Sequence, residues 1–280
     1  MGLVLGCQRP QPAPADEPTT TSAVAPSAPP GPEAARRAPH NRVQQSFNRA
    51  KRDLRRIYEG HETTFYCGCA YLDRTVDHRS CGYVPRNPGK RAQRVEWEHV
   101  VPAHAFGKSF VEWREGDPRC VSKGKRFKGR DCARKVSTDF RYMEADMYNL
   151  VPVIGEVNQH RSNFSFAELE GEPRAYGACD FEVVGRKVEP RAAIRGDIAR
   201  IYLYMAAAYP GRGILSRKSR RFFEAWAADD PVDRWECERA ERIAEVQGNR
   251  NEVVASACAS RGVSGAGASG SLGGSSAGEQ

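Results

Sequence analysis

Apolar side chains recur every three or four positions in four stretches of the chain, a period that predicts amphipathic helices. The first stretch covers about 44–59, with Leu54 and Ile57 on its apolar face and basic residues between them. Ser216 and Asp233 stand at the starts of two later stretches, where their side-chain oxygens can accept from free backbone N–H groups as N-caps. The three helices after the first are expected over 191–209, 216–228 and 234–247.

Two shorter segments in the first half of the chain have the composition of strands. Thr63–Tyr71 is aromatic and β-branched, and Val95–Val101 has the same character up to Pro102. A short helix is expected over 153–163, whereas the turn-rich segment 114–135 predicts a long loop. Strands that come early and helices that come late in the chain indicate an α+β fold.

The two ends of the chain differ in composition from its middle. Residues 1–41 contain nine of the 18 prolines and no Phe, Trp or Tyr, and residues 262–280 contain seven glycines and five serines. Neither end can bury enough apolar surface to offset the entropy of ordering, so both are expected to be disordered. The folded domain is therefore expected at 42–261.

The chain is basic, with a formal charge of +8 and a pI near 9.1. Segment 114–135 alone contains nine basic and three acidic residues. Because Arg and Lys are the side chains that contact phosphate, a nucleic-acid partner is expected, with Lys125, Arg126 and Lys128 among the phosphate contacts. No stretch approaches the ~18 consecutive apolar residues of a transmembrane helix.

Eight cysteines lie in the expected domain, an even number that favours disulfides in an extracytoplasmic, oxidising compartment. Zinc binding is less favoured, because the Cys67–Cys69 pair is tighter than the usual ligand hairpin and no second pair matches it. The pairing stays open, although Cys120 and Cys132 would close one loop. The eight residues are Cys67, Cys69, Cys81, Cys120, Cys132, Cys179, Cys237 and Cys258.

The ninth cysteine, Cys7, follows the sequence Met-Gly-Leu-Val-Leu-Gly. A small residue after an apolar stretch and before a cysteine is typical of the end of a bacterial lipoprotein signal. The basic start and the full apolar stretch of a working signal are absent, so a truncated signal is expected. Lipidation of Cys7, with the segment up to residue 41 as a tether, is the one membrane contact that we expect.

Two segments carry side chains suited to metal-assisted hydrolysis. Glu98 and His99 stand together at the end of the strand predicted before Pro102; Glu98 offers a hard oxygen ligand, and His99 could take a proton from water. Segment 143–163 adds carboxylates and amides, and an Asn oxygen beside one carboxylate suits Mg²⁺. An ordinary strand end and ordinary turns would explain the same residues. A zinc-protease motif through His99 and His104 is disfavoured, because Pro102 breaks the helix that it requires.

In combination these segments resemble bacterial endonuclease I, the periplasmic or secreted non-specific nucleases of the His-Me finger (ββα-metal) class. The resemblance spans about 44–260, and the eight cysteines of the domain also fall at the positions of the family. The resembling segments are Thr64–Cys69, Ser80–Tyr83, Arg94–Ala103, Met143–Phe164, Tyr176–Cys179, Arg195–Met205 and Trp235–Asn249.

The resemblance implies a disulfide-stapled ββα-metal core with additional helices, and an enzyme that cuts DNA, in double and single strands, and RNA as a further substrate. His99 would be the general base, and Glu98 and Asn158 would bind one Mg²⁺ (or Ca²⁺ or Mn²⁺). Arg130, or another Arg of the same basic segment, would hold the cleaved phosphate. Hydrolysis would leave a 5′ phosphate. Glu144, Asn149 and Arg161 match positions that support the site.

Three residues depart from the pattern of the family close to the site, namely Tyr148, Gln159 and His160. They remove neither the proposed base nor a proposed ligand, so they bear on rate and not on the class of reaction. The alternative is a secreted, non-catalytic nucleic-acid-binding protein on the same scaffold. That protein would not need Glu98, His99 and Asn158 together. A monomer without a small-molecule cofactor is expected in either case.

Overall fold

A computed structural model describes residues 1–2, 39–171 and 174–264. The lipidation expected at Cys7 and most of both expected tails lie outside these residues. The first half of the described chain contains α1 (Phe47–Ile57), β1 (Tyr71–Leu72), β2 (Thr75–Val76), β3 (Val95–His99), α2 (Ala103–Gly107), α3 (Val111–Arg114), β4 (Val121–Ser122), β5 (Lys125–Arg126), α4 (Arg130–Val136) and α5 (Thr138–Glu144).

The second half is richer in long helices, as the sequence predicts. It contains β6 (Leu150–Ile154), α6 (Gly155–Arg161), β7 (Ser165–Phe166), β8 (Phe181–Val184), β9 (Lys187–Pro190), α7 (Arg195–Ala208), α8 (Arg217–Asp229), α9 (Arg234–Gln247) and α10 (Glu252–Ser260). The fold is therefore mixed α/β, with small sheets. No helix in the described part of the chain is both long and apolar enough to cross a membrane.

The centre of the fold is a unit of two strands and a helix. β3 and β6 pair in antiparallel register, with His99 opposite Leu150 and Val95 opposite Ile154. α6 begins at Gly155, directly after β6. A Cβ atom on Gly155 would lie 2.7 Å from the Arg91 carbonyl oxygen, so this junction requires glycine. The result is a helix fixed against the strand that carries the candidate residues.

The helix predictions are confirmed in detail at several ends. α1 buries Ala50, Leu54 and Ile57, as its apolar face predicts. Ser216 caps α8 within a capping box, and Asp233 caps α9 by accepting a hydrogen bond from Glu236 N.

Two predicted segments are wrong. Most of Thr63–Tyr71 is a tight turn instead of a strand, in which Gly68 N bonds to Thr64 O and Gly68 takes a φ of +71°. Of this segment only Tyr71 belongs to a strand, at the start of β1. Segment 114–135 is not one loop, because it contains the β4–β5 hairpin and most of α4. The turn is held by two disulfides, one of them to the distant Cys179, whereas the β4–β5 hairpin is a local element that the Cys120–Cys132 disulfide ties to α4.

Four disulfides join all eight cysteines of the domain. Cys120–Cys132 is confirmed and ties the β4–β5 hairpin to α4. Two others fix the turn at 64–69, one of them across 112 residues of sequence. The fourth links α9 to α10, a helix that the sequence pattern did not predict. These three pairs are Cys67–Cys179, Cys69–Cys81 and Cys237–Cys258.

Candidate active site

The end of β3 opens into a cleft of about 430 Å³. Neighbouring side chains on a strand point to opposite faces. The strand ends at His99, however, and both Glu98 and His99 line this cleft. The cleft thus brings together side chains from α1, β3, α4 and α6, namely Phe47, Trp97, Glu98, His99, Arg130 and Asn158.

Glu98 is buried and only partly satisfied. Its Oε1 lies 3.0 Å from Arg161 Nη1, yet this buried oxygen accepts no hydrogen bond of good geometry from the described residues. Burial raises the pKa of Glu98 to about 7, with a further rise from the nearby Glu96 and an opposing effect from Arg161. A carboxylate in this position is stabilised by any further cation that reaches it.

Asn158 lies on α6 beside Glu96. Its Nδ2 donates to Glu96 Oε2 at 2.9 Å, which fixes the orientation of the amide. Glu96 is held in turn by Arg91 and Arg94, each at 2.7 Å, and these hydrogen bonds keep its pKa below the usual range against the effect of burial. Because the nitrogen of Asn158 is engaged, its Oδ1 is the group left to bind a cation.

The surroundings of His99 determine which of its two ring nitrogens carries the proton. Its Nε2 lies 2.8 Å from the carbonyl oxygen of Glu144. A carbonyl can only accept, so Nε2 carries the proton and Nδ1 keeps its lone pair. Burial, followed by the positive charge of Arg130, lowers the pKa of His99 to about 3. The Phe47 ring packs against the imidazole, with ring centroids 4.8 Å apart.

Glu144 connects this histidine to two arginines. Its carboxylate accepts from Arg130 Nε at 2.6 Å and from Arg134 Nη2 at 2.6 Å, while its backbone carbonyl accepts from His99. These cations hold the pKa of Glu144 below its usual range although burial opposes them. Arg130 keeps one buried nitrogen, Nη2, that has no hydrogen-bond partner among the described residues. A phosphate oxygen would satisfy it.

Arg161 and Asn149 fix the backbone at the end of β3. Arg161 is fully buried and donates to the carbonyl oxygens of His99 and Val100. Asn149 makes two hydrogen bonds to the backbone of Val101, at 2.7 and 3.0 Å. Because the strand can neither shift nor fray, Glu98 and His99 are held in fixed positions.

The sequence is also similar to those of known proteins. The family model of Endonuclease I matches residues 44–258. The chain belongs to the endonuclease I family. This membership confirms the resemblance found in the sequence. It also identifies the protein as an endonuclease.

Proteins similar to this endonuclease I chain include enzymes of two bacteria. A periplasmic deoxyribonuclease of Aeromonas hydrophila is 43% identical over 221 residues, which cover 76% of this chain and 87% of that protein. An extracellular deoxyribonuclease of the same species is 44% identical over 222 residues, 76% and 91% of the two chains. Endonuclease-1 of Buchnera aphidicola subsp. Acyrthosiphon pisum is 37% identical over 220 residues, 76% and 82%.

The basic segment of this endonuclease I chain divides into two parts. Arg130 lines the cleft, whereas Lys125, Arg126 and Lys128 are exposed on and next to the β4–β5 hairpin and do not line it. The Cys120–Cys132 disulfide fixes the hairpin to the helix that carries Arg130. The hairpin thus extends positive charge outward from the cleft.

The three departures from the family pattern have different surroundings. Tyr148 is buried and has a structural role, because its hydroxyl donates to the carbonyl oxygen of Asn249 at 2.9 Å and lies 3.2 Å from that of Ala240. Gln159 lines the cleft and accepts from Arg91 Nη1 at 3.1 Å. His160 lies outside it, 2.8 Å from the Tyr176 hydroxyl. None of the three displaces Glu98, His99 or Asn158.

The sequence interpretation missed three residues of the site, Phe47, Glu96 and Arg134. Glu96 could have been found, because it lies two positions before Glu98 on a strand and so shares its face. Asn158 and Arg161 lie about one turn apart on α6. Asn158 contacts Glu96 and Arg161 contacts Glu98, so the partners follow the same order along the helix as along the strand. Phe47 and Arg134 come from distant segments and gave no comparable signal.

The donor set fits a hard divalent cation. Among the residues that the structure describes, no three His, Cys, Asp or Glu side chains converge as a metal site, so a zinc centre is not supported there. Glu98 instead offers a buried oxygen short of donors, and Asn158 offers an oriented amide oxygen. One carboxylate and one neutral oxygen, with water, is the pattern that Mg²⁺ accepts.

Proposed function

We propose that the protein is a metal-dependent endonuclease that hydrolyses DNA without sequence preference and leaves a 5′ phosphate. The observation that carries this proposal is the shared cleft of His99, Glu98 and Asn158. In this cleft a histidine with a free ring nitrogen lies near a buried carboxylate, Glu98, whose Oε1 accepts no hydrogen bond from the described residues. The unit of β3, β6 and α6 would then be the ββα-metal core.

His99 takes the proton of the attacking water at Nδ1. The hydrogen bond from Nε2 to the Glu144 carbonyl fixes the ring and helps to stabilise the charge that it gains. Burial lowers the pKa of the ring to about 3, which keeps Nδ1 unprotonated at neutral pH. The same shift weakens the ring as a base, and the negative charge of a bound phosphate would oppose it. Phe47 restricts the ring to one orientation.

Glu98 and Asn158 would hold one Mg²⁺, with Ca²⁺ or Mn²⁺ as substitutes. When bound, this ion supplies positive charge that stabilises the phosphoryl oxygens and the leaving oxygen. Arg161 compensates part of the charge of Glu98 and keeps the carboxylate in place. Glu96 orients the amide of Asn158.

Arg130 contacts the cleaved phosphate through the Nη2 that is otherwise unpartnered. The exposed cations of the β4–β5 hairpin contact the backbone of the same nucleic acid farther from the cut. Backbone contacts carry no sequence information and make affinity fall steeply with salt. Double- and single-stranded DNA are therefore expected substrates, and RNA a further one.

The similar proteins support the substrate and the location. Two of them are named deoxyribonucleases, one periplasmic and one extracellular. An extracytoplasmic location agrees with four disulfides, which form in oxidising compartments.

The test is cleavage of supercoiled plasmid by the oxidised protein with Mg²⁺, beside EDTA and a His99→Ala variant. We expect nicking and degradation that EDTA abolishes and that His99→Ala slows by about 10²–10⁴-fold, the usual contribution of a general base. His61→Ala is the matched control, because His61 stacks on Trp235 outside the cleft. Shifted plasmid without cleavage under any divalent metal would instead indicate a non-catalytic binding protein.

A further inference from the structure

A second histidine lines the cleft and has no part in the chemistry described above. His104 lies on α2, five residues after His99, and is half-buried. Trp113 and Asn163 line the cleft beside it. The three side chains come from α2, α3 and the segment after α6, so the fold assembles them from separate parts of the chain.

The ring of His104 is held in one orientation. Asn163 Nδ2 lies 2.9 Å from His104 Nδ1, so the amide N–H donates to Nδ1. A neutral ring that accepts at Nδ1 carries its proton on Nε2, where it is a donor. Trp113 meets the ring edge-on, with centroids 6.3 Å apart.

Trp113 is fixed by the glycine at the end of α2. A Cβ atom on Gly107 would lie 2.4 Å from Trp113 Cε3, so the indole takes the space that any other residue would fill. His104, Trp113 and Asn163 thus form one wall of the cleft with defined positions.

The charges that act on this wall are positive. Burial and the neighbouring Lys108 and Arg186 lower the pKa of His104, which favours the neutral ring. Arg186 itself lies over the Phe164 ring. An N–H donor close to two cations is an environment that suits an anionic oxygen.

Resting on the proposed function, we infer that His104 is a substrate-binding residue. Its Nε2–H donates to an oxygen of a backbone phosphate next to the one that is cut, and Asn163 and Trp113 position the ring for this contact. The two histidines of the cleft therefore have different roles. His99 takes a proton, and His104 binds the backbone of the nucleic acid.

The test compares His104→Ala with His104→Gln, whose amide N–H can replace the Nε2–H donor. For His104→Ala we expect KM for DNA to rise about tenfold, the effect of one hydrogen bond to a charged group, with kcat within about twofold of the wild type. His104→Gln should recover most of the loss. Asn163→Ala, which frees the ring, should raise KM less, and His61→Ala should not change it.

A second measurement does not depend on cleavage. In the inactive His99→Ala background, the added His104→Ala change should raise the Kd for labelled DNA by the same factor. An unchanged KM and Kd, or a fall in kcat at constant KM, would overturn the inference and leave the proposed function intact. A wild-type protein that never cleaves would end the proposed function, and the Kd comparison would still decide the role of His104.

Discussion

Two buried carboxylates in this protein have opposite surroundings. Asp146, fully buried behind the site, accepts hydrogen bonds at both oxygens, whereas Glu98 in the cleft has one arginine and an oxygen without a donor. Burial raises the pKa of both groups. The four donors to Asp146 are Tyr148 N, Gln247 Nε2, Tyr204 Oη and Tyr209 Oη.

The difference separates an acid with a structural role, Asp146, from the acid that we propose as a metal ligand, Glu98. Asp146 joins the turn before β6 to α7 and α9, and its hydrogen bonds leave it nothing to offer a ligand. Glu98 is held in place by Arg161 but is not satisfied by it. A buried polar group left short of partners costs stability, which supports the proposal that a ligand completes the surroundings of Glu98.

The largest effect is expected from Glu98→Gln. This change removes the charge that would bind the metal, and cleavage should fall by more than about 100-fold, since even indirect metal contacts are worth about 10–100-fold. The melting temperature should fall less than in the Asp146 variant described next, because Gln keeps an oxygen near Arg161 and Arg161 keeps its backbone carbonyls, although the buried ion pair loses its negative charge. Plasmid cleavage and thermal melting measure the two quantities. A variant that cleaves normally would remove Glu98 from the metal site.

The same carboxylate-to-amide change at Asp146 should act on stability instead. An amide nitrogen cannot accept, so Asp146→Asn leaves two buried donors unsatisfied and should lower the free energy of unfolding by about 3 kcal/mol. The folded fraction should still cleave DNA. Urea unfolding followed by far-ultraviolet circular dichroism measures the change, with Glu98→Gln as its control. Equal stability of the two variants would show that the comparison is wrong.

A smaller effect is expected in the pH dependence of metal stabilisation. The pKa of Glu98 is about 7 in the folded protein, above the ordinary value of 4.5. As pH rises between these values, the unfolded chain releases this proton and the folded protein keeps it, so the metal-free protein loses stability. A cation at Glu98 offsets that loss. The Mg²⁺-induced rise in melting temperature should therefore be larger at pH 8 than at pH 5.

Two variants sharpen that measurement. In Glu98→Gln, Mg²⁺ should not raise the melting temperature at either pH. Asp146→Asn should melt at a lower temperature than the wild type, but its Mg²⁺-induced rise should depend on pH in the same way. A rise of equal size at pH 5 and pH 8 in the wild type would place the metal away from Glu98.

Features set by neighbouring residues could be predicted from the sequence. Ser216 and Asp233 cap their helices because a cap needs only a side-chain oxygen and the next few N–H groups. The Cys120–Cys132 disulfide could be suggested from the short loop that it closes, although the pairing of the eight cysteines stayed open. The strand that presents Glu98 and His99 was also expected from local composition, and it ends at His99.

Features that depend on distant parts of the chain could not be predicted from the sequence. Thr63–Tyr71 has the composition of a strand, but its disulfides and Gly68 fold it into a turn. The tautomer of His99 depends on the Glu144 carbonyl, and a backbone atom leaves no trace in the sequence. The contrast between Glu98 and Asp146 likewise depends on tyrosines about 60 residues beyond Asp146.

The Cys67–Cys179 disulfide has a consequence for the cell that makes the protein. Its two cysteines are 112 residues apart, so the bond cannot form until most of the domain has been synthesised and has reached an oxidising compartment. A nuclease that cuts any DNA endangers the chromosome of its own producer. If the protein has the non-specific activity proposed above, a fold completed by this cross-link only after export would protect the DNA of the producing cell.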